Sequence, residues 1–177
     1  PHGAAPRAAA RKTVELHRSR AYLDSADAQN RSPTLNAIAA LLSDFEVLDD
    51  WEDRYKHVIE LGRDLPPLPE ADHAPENKVK GCASQVWITS ATEGPAANPV
   101  LTFRGDSDAL IVKGLIAIAF MIYSGKPAKE ILTTDAGEVL GRLGLAGHLT
   151  QQRSNGFASM IQRIKHDAQA ALQASSN

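Results

Sequence analysis

One residue in this chain has both the chemistry of a nucleophile and a local setting that would let it act. Cys82 is the single cysteine among 177 residues. It stands in Lys78-Val79-Lys80-Gly81-Cys82-Ala83-Ser84-Gln85, just before a β-branched and aromatic run. Thiolate is the reactive form of cysteine, and positive charge from Lys78 and Lys80 predicts a lowered thiol pKa. Gly81 permits a sharp turn or a close backbone approach. A loop–strand junction holds a side chain on a rigid element while leaving it reachable. Read from these residues alone, the commoner fate of a free cysteine is an inert, buried, small apolar side chain. Without a second cysteine the chain cannot close its own disulfide. Any covalent sulfur chemistry at Cys82 therefore needs a sulfur on another molecule.

Other chemistry-bearing residues are less specific. His57, His73, His148 and His166 show no His-x-x-x-His spacing, and no Cys-x-x-Cys pair accompanies them, so no local metal clamp is expected. A surface role is the default for most of them. Gly105-Asp106-Ser107-Asp108 has one glycine and two acids, which disfavours phosphate, and it is too short for a calcium loop. Helix capping accounts for it. Arg153-Ser154-Asn155-Gly156 opens the last helical pattern, with Thr150 or Ser154 as its cap. A cation there opposes the helix dipole, so Arg153 is expected to serve an ion pair or a binding contact, or else to be simply solvated.

The length fits one domain. With 19 basic and 21 acidic residues the net charge is −2, which gives no support to a nucleic-acid binder. Residues 1–33 carry six basic and three acidic side chains, so a mildly basic extension precedes an acidic body. Residues 1–31 read as a disordered tail or a leader, with an organelle transit peptide as the less favoured reading. They lack the apolar stretch that a secretory signal needs. The body is residues 32–177. One cysteine also removes the signature of the disulfide-rich secreted class.

The elements that must position Cys82 follow from periodicity. Ser32-Pro33-Thr34 starts a helix carrying Leu35, Ile38, Leu42, Phe45 and Leu48. Asp49-Asp50 breaks it and caps a second helix with Trp51, Tyr55, Val58 and Ile59, for which Gly62 is the expected stop. Pro66, Pro67 and Pro69 exclude regular structure. Residues 85–89 and 100–103 read as two strands of an antiparallel hairpin. No third strand is evident, and residues 78–81 are a candidate extension of the first. Ala109 to Tyr123 is apolar almost throughout but shorter than the roughly 20 residues of a membrane span and interrupted by Lys113, so a buried helix is expected. Short helices follow from Pro127 and Asp135. Phe157, Met160, Ile161, Ile164, Ala168 and Leu172 then stripe a C-terminal helix. The order indicates an α+β fold, a small antiparallel sheet with helices packed on one face.

Four stretches together carry a family likeness. They are Trp51-Glu52-Asp53-Arg54-Tyr55 with Ile59-Glu60-Leu61-Gly62, then Val79 to Trp87, then Gly105-Asp106-Ser107-Asp108-Ala109 with Ile111-Val112-Lys113-Gly114-Leu115, and finally His148-Leu149-Thr150 with Arg153-Ser154-Asn155-Gly156. In this order the chain resembles the SufE-type cysteine desulfuration proteins, from about Leu35 to Leu172. Ala83 departs from the larger polar residue that members often carry beside the cysteine. The resemblance implies a fold like that of the IscU-type scaffold. It implies a sulfur acceptor and carrier rather than an enzyme in its own right. Cys82 would take persulfide sulfur from a cysteine desulfurase, stimulate that enzyme and pass the sulfur to an iron–sulfur scaffold complex. It implies no cofactor on this chain, since the pyridoxal phosphate belongs to the partner desulfurase, and no metal, nucleic acid or membrane partner. Arg153, Lys80, Gly81, Gln85, Asp106 and Asp108 fall at family positions expected to support the cysteine loop or its docking. A free thiol fits a reducing compartment such as a bacterial cytoplasm, with an organelle the alternative if residues 1–31 are a transit peptide.

A persulfide carrier should shield its sulfur, so the Cys82 loop is expected to rest partly buried and to swing out on docking. The alternatives are a stand-alone thiol-dependent enzyme using Cys82, an iron–sulfur scaffold and an interaction domain with an inert cysteine. The scaffold is disfavoured because it needs about three soft ligands.

Overall fold

The computed structural model describes residues 33–174, with side chains from Ala37 onward. The basic extension over residues 1–31 and the Ser32 cap lie outside the described residues. Nine elements follow: α1 (Pro33–Glu46), α2 (Trp51–Arg63), β1 (Val86–Glu93), β2 (Val100–Ser107), α3 (Leu110–Tyr123), β3 (Lys126–Pro127), α4 (Ala128–Thr133), α5 (Ala136–Arg142) and α6 (Gln151–Ala174). Single 3₁₀ turns at Glu70–Asp72 and Pro75–Asn77 interrupt the proline-rich segment.

The sheet is antiparallel with strand order β1-β2-β3. Its register pairs Val86 with Ser107, Ile88 with Gly105 and Glu93 with Val100. Directly opposed residues point to the same face. Val86, Ile88, Leu101, Phe103, Gly105 and Ser107 are accordingly the buried set. Helix α3 lies against β2 and α6 against β1, which puts helices on that one face and gives the α+β architecture expected from the element order. α3 is the centre of the core: from Ile111 to Tyr123 every residue except Lys113 is buried, and only Leu110 stands out at 50% exposure.

Several expectations need correcting. The third strand is the two-residue β3, which pairs with Val100 and Leu101. Residues 78–79 do not extend β1. They run back along it, with Lys78 bridged antiparallel to Trp87 and the Val79 N–H donating to the Val86 carbonyl at 2.8 Å. The reversal occurs at Gly81, whose φ of +88° lies in the left-handed region that glycine tolerates. Gly105, Asp106 and Ser107 are the end of β2 rather than a helix cap; α3 starts at Leu110 with no side-chain cap bond from Ala109. Gly62 does not stop α2 but sits buried inside it, where an added Cβ would stand 2.5 Å from the Gly114 nitrogen. Gly62 and Gly114 thus bring the α2 and α3 backbones into contact. Asp50 and Asp135 cap α2 and α5 as the sequence indicated, accepting from the N–H groups of Asp53 and Gly137.

Candidate functional site around Cys82

The chain enters the site along β1's outer edge, turns at Gly81 and presents Cys82 before re-entering the sheet at Val86. Cys82 is half-buried and packs against the edge of the core. Its thiol donates to the Gly156 carbonyl in the second turn of α6, at 3.5 Å. Two contacts with that helix set the geometry. An added Cβ on Gly156 would lie 3.6 Å from Cys82 Sγ, and one on Gly81 would lie 2.7 Å from Ser159 Oγ. Residues 156 and 159 are three apart and share a helix face. Ser159 Oγ is held in place by donating to the Asn155 carbonyl at 3.0 Å. The far side of the loop is pinned by Asp108, whose Oδ1 accepts from the Gln85 N–H at 3.0 Å. Lys78 Nζ crosses to Gln85 Oε1 at 3.2 Å.

The electrostatics run against the expected activation by lysine. Burial pushes the Cys82 thiol above the ordinary thiol range. The Lys78 ammonium is turned to the Gln85 amide, and Lys80 is exposed. At rest the thiol is a hydrogen-bond donor set against a carbonyl, an arrangement that disfavours the thiolate.

Of the residues singled out in the sequence, Gly81, Cys82, Gln85 and Asp108 come together in one loop system. Asp106 faces the opposite side of the sheet, where Lys113 Nζ and His73 Nε2 approach its carboxylate at 2.8 and 2.9 Å. Arg153 sits one turn before Gly156 on α6, and its guanidinium lies over the Tyr55 ring, 5.8 Å from the centroid. Arg153 thus makes an internal cation–π contact, which is neither the ion pair nor the binding contact expected of it. Thr150 is the cap, its Oγ1 accepting from the Arg153 N–H at 3.4 Å.

The histidines divide. His148 and His166 are exposed, and His148 stacks on Trp51 at 4.2 Å. His57 is instead buried beside Asp44, its Nε2 3.4 Å from the carboxylate. His73 is partly buried edge-on to Trp87. Among the described residues no three His, Cys, Asp or Glu side chains are grouped to hold a metal, and no helix is long and apolar enough to cross a membrane. Sequence reasoning passed over Ser159, gave His73 only the default surface role, and quoted Lys113 and Gly156 only as motif residues. Gly156 was visible as the last residue of a motif, but its contact with the sulfur depends on a loop 74 positions earlier.

Comparisons with known proteins identify the family and the fold. The SufE family profile, an Fe-S metabolism associated domain, matches residues 39–168, which hold the whole cysteine loop and its seat on α6. The chain belongs to the SufE family. An uncharacterized SufE-like protein of Rhizobium meliloti (strain 1021) is 51% identical over 79% of this chain and all of the relative. One from Rhizobium etli is 56% identical over 72% of this chain and 86% of the relative. The solution structure of a hypothetical protein from Thermus thermophilus shares the fold, with a TM-score of 0.57 at 20% identity, covering 79% of this chain and 96% of the other. Membership in the SufE family associates the protein with iron–sulfur metabolism.

Proposed function

We propose that this protein is a sulfur acceptor and carrier that takes persulfide sulfur from a cysteine desulfurase onto Cys82, stimulates that enzyme and hands the sulfur to an iron–sulfur scaffold complex. The observation that carries the reading is the setting of the lone cysteine. It rides on a short loop pinned at both sides, with its thiol turned inward against α6.

The chemistry balances without an outside oxidant. The Cys82 thiolate attacks the outer sulfur of the desulfurase persulfide. A new S–S bond forms to Cys82, the donor's S–S bond breaks, and its electron pair leaves on the desulfurase cysteine. The thiol proton goes to solvent or to a base of the partner. One cysteine suffices, and a second nearby would divert the persulfide into a disulfide.

Because burial raises the resting thiol pKa, attack requires the loop to leave α6 or the partner to supply positive charge. The same direction speaks against a stand-alone thiol enzyme, which needs a thiolate without help. Lys80, exposed at the turn, and Arg153, on the adjacent helix turn, are the side chains we assign to docking or to stabilising anionic sulfur. The free thiol suits a reducing cytoplasm. The chain itself needs no cofactor for this step.

Mass spectrometry after incubation with a cysteine desulfurase and cysteine tests the proposal. The Cys82 peptide should gain one sulfur atom, and Cys82→Ser should gain none. An active desulfurase that leaves Cys82 unmodified would overturn it.

A further inference from the structure

We propose that Gly156 is the positioning residue that sets the resting reactivity of Cys82: the thiol lies against α6 because nothing larger than a methyl stands at this position, and a larger residue there holds the loop open. The inference concerns regulation of the site and rests on Cys82 being the sulfur acceptor only for its biological meaning.

The distances make Gly156 a graded control. A methyl group at this position would sit 3.6 Å from Cys82 Sγ and 3.9 Å from its Cα and Cβ, which is ordinary contact. Alanine therefore fits with the loop still seated. A β-branched side chain, with two γ-atoms beyond a Cβ already in contact with the sulfur, crowds the volume that the sulfur occupies. The loop cannot evade the clash by sliding along the helix, because Gly81 already abuts Ser159. It cannot sink deeper, since Gly156 and its neighbour Phe157 are themselves buried. Outward movement is the remaining direction, resisted from the other side by the Gln85–Asp108 side-chain and backbone bonds and by the Val79–Val86 bond. The Gly156 carbonyl contributes as well, because it accepts the thiol proton in the seated state and loses that contact when the loop lifts.

Glycine is also a poor choice for the helix itself. In a helix interior it costs about 1 kcal/mol relative to alanine. The overlying loop leaves room for a methyl, so alanine should recover that cost without unseating Cys82.

The test is a series at position 156 in the full chain, read by alkylation of Cys82 with iodoacetamide in the absence of any partner. Gly156→Ala should alkylate at nearly the wild-type rate and melt at a higher temperature. Gly156→Val should alkylate faster by about tenfold, the change expected from losing a hydrogen bond and a packed sulfur. The pH midpoint of the reaction should also fall toward that of a free thiol, since the thiol would no longer be buried. A loss of helix stability alone would not move that midpoint. Circular dichroism checks the fold, and if the valine variant does not fold, Gly156→Thr carries the same test with the same β-branching. Unchanged rate and midpoint in a folded Gly156→Val or Gly156→Thr protein would overturn the inference. Failure of wild-type Cys82 to take sulfur from a desulfurase would instead overturn the functional proposal and leave this series intact.

Discussion

His73 Nε2 and Asp106 Oδ2 lie 2.9 Å apart, joining the proline-rich segment to the outer face of the sheet across 33 positions of sequence. The same carboxylate accepts from Lys113 Nζ at 2.8 Å and from the Ser107 N–H at 2.8 Å. The hydrogen bond to Asp106 raises the His73 pKa against a smaller opposing effect of burial. Burial alone would raise the Asp106 carboxyl, but hydrogen bonds from Lys113, His73 and Ser107 hold it below the usual range. The pair thus straps residues 66–77, and through them the run-in to the cysteine loop, onto β1 and β2.

The sign of the pH dependence follows. The His73 contribution is complete below its ordinary pKa of about 6.5 and is lost as pH rises through the raised folded value. The Asp106 contribution is complete above its ordinary range of about 4 and is lost as pH falls through the lowered value. The strap is therefore strongest between about pH 4 and 6.5. His73→Ala should lower the Tm measurably near about pH 5.5 and much less at a pH above the raised folded value of the imidazole. An equal Tm difference at both values would show that the charge on His73 is irrelevant.

Asp108 is the counterpart on the near side of the loop. Its carboxylate receives only the Gln85 N–H among the described contacts, and it is exposed. Asp108→Ala should therefore cost less than about 1 kcal/mol in global stability. It should nonetheless raise the alkylation rate of Cys82, because the loop keeps only the backbone bond between Asp108 and Gln85 on this side. Thermal melting and iodoacetamide kinetics on the same preparation separate the two effects. A variant with wild-type kinetics would mean that α6 and the backbone bonds hold the loop without the carboxylate.

What the sequence made legible, and what it hid, divides by range. Local signals were reliable: Asp50 and Asp135 cap their helices, the 86–107 hairpin pairs antiparallel, and the apolar run to Tyr123 is the buried helix. Cys82 stood out because its type and its flanking glycine are local facts. Contacts distant in sequence were invisible. The strand Lys126–Pro127 exists only because Val100 and Leu101 offer it an edge, and two residues carry no period. Gly62 looked like a helix stop because its partner Gly114 lies in another helix. Lys78 and Lys80 looked like thiol activators because nothing in sequence tells that one faces Gln85 and that the thiol itself is buried. Asp106 and Asp108, close together in one motif, serve different partners around the strand end, one on the outer face and one at the cysteine loop.

The α2–α3 contact makes a sharper claim on stability. A Cβ added to Gly114 would run into the Val58 carbonyl and side chain, which are backbone and core rather than a flexible tip. Gly114→Ala should force the two helices apart and cost about 1–3 kcal/mol or more, despite the better helix propensity of alanine. Urea denaturation measures this directly. An alanine variant as stable as the wild type would mean that α2 can shift without loss.

The edge of β1 depends on Arg163. Its Nη2 donates to the Ile88 carbonyl at 3.0 Å, its Nη1 to the Glu76 carbonyl at 3.3 Å, and its Nε to Asp167 Oδ1 at 2.9 Å. One guanidinium thus ties the sheet edge and the turn before the cysteine loop to the helix on which Cys82 rests. Removing it leaves two carbonyls and a carboxylate short of a donor, and Arg163→Ala should cost about 1–3 kcal/mol. Arg163→Lys should recover little of that, because a single ammonium cannot reach three acceptors in a planar fork. The urea midpoints of the two variants decide the matter. If lysine restored the wild-type midpoint, charge alone rather than the forked geometry would be holding the strand to α6.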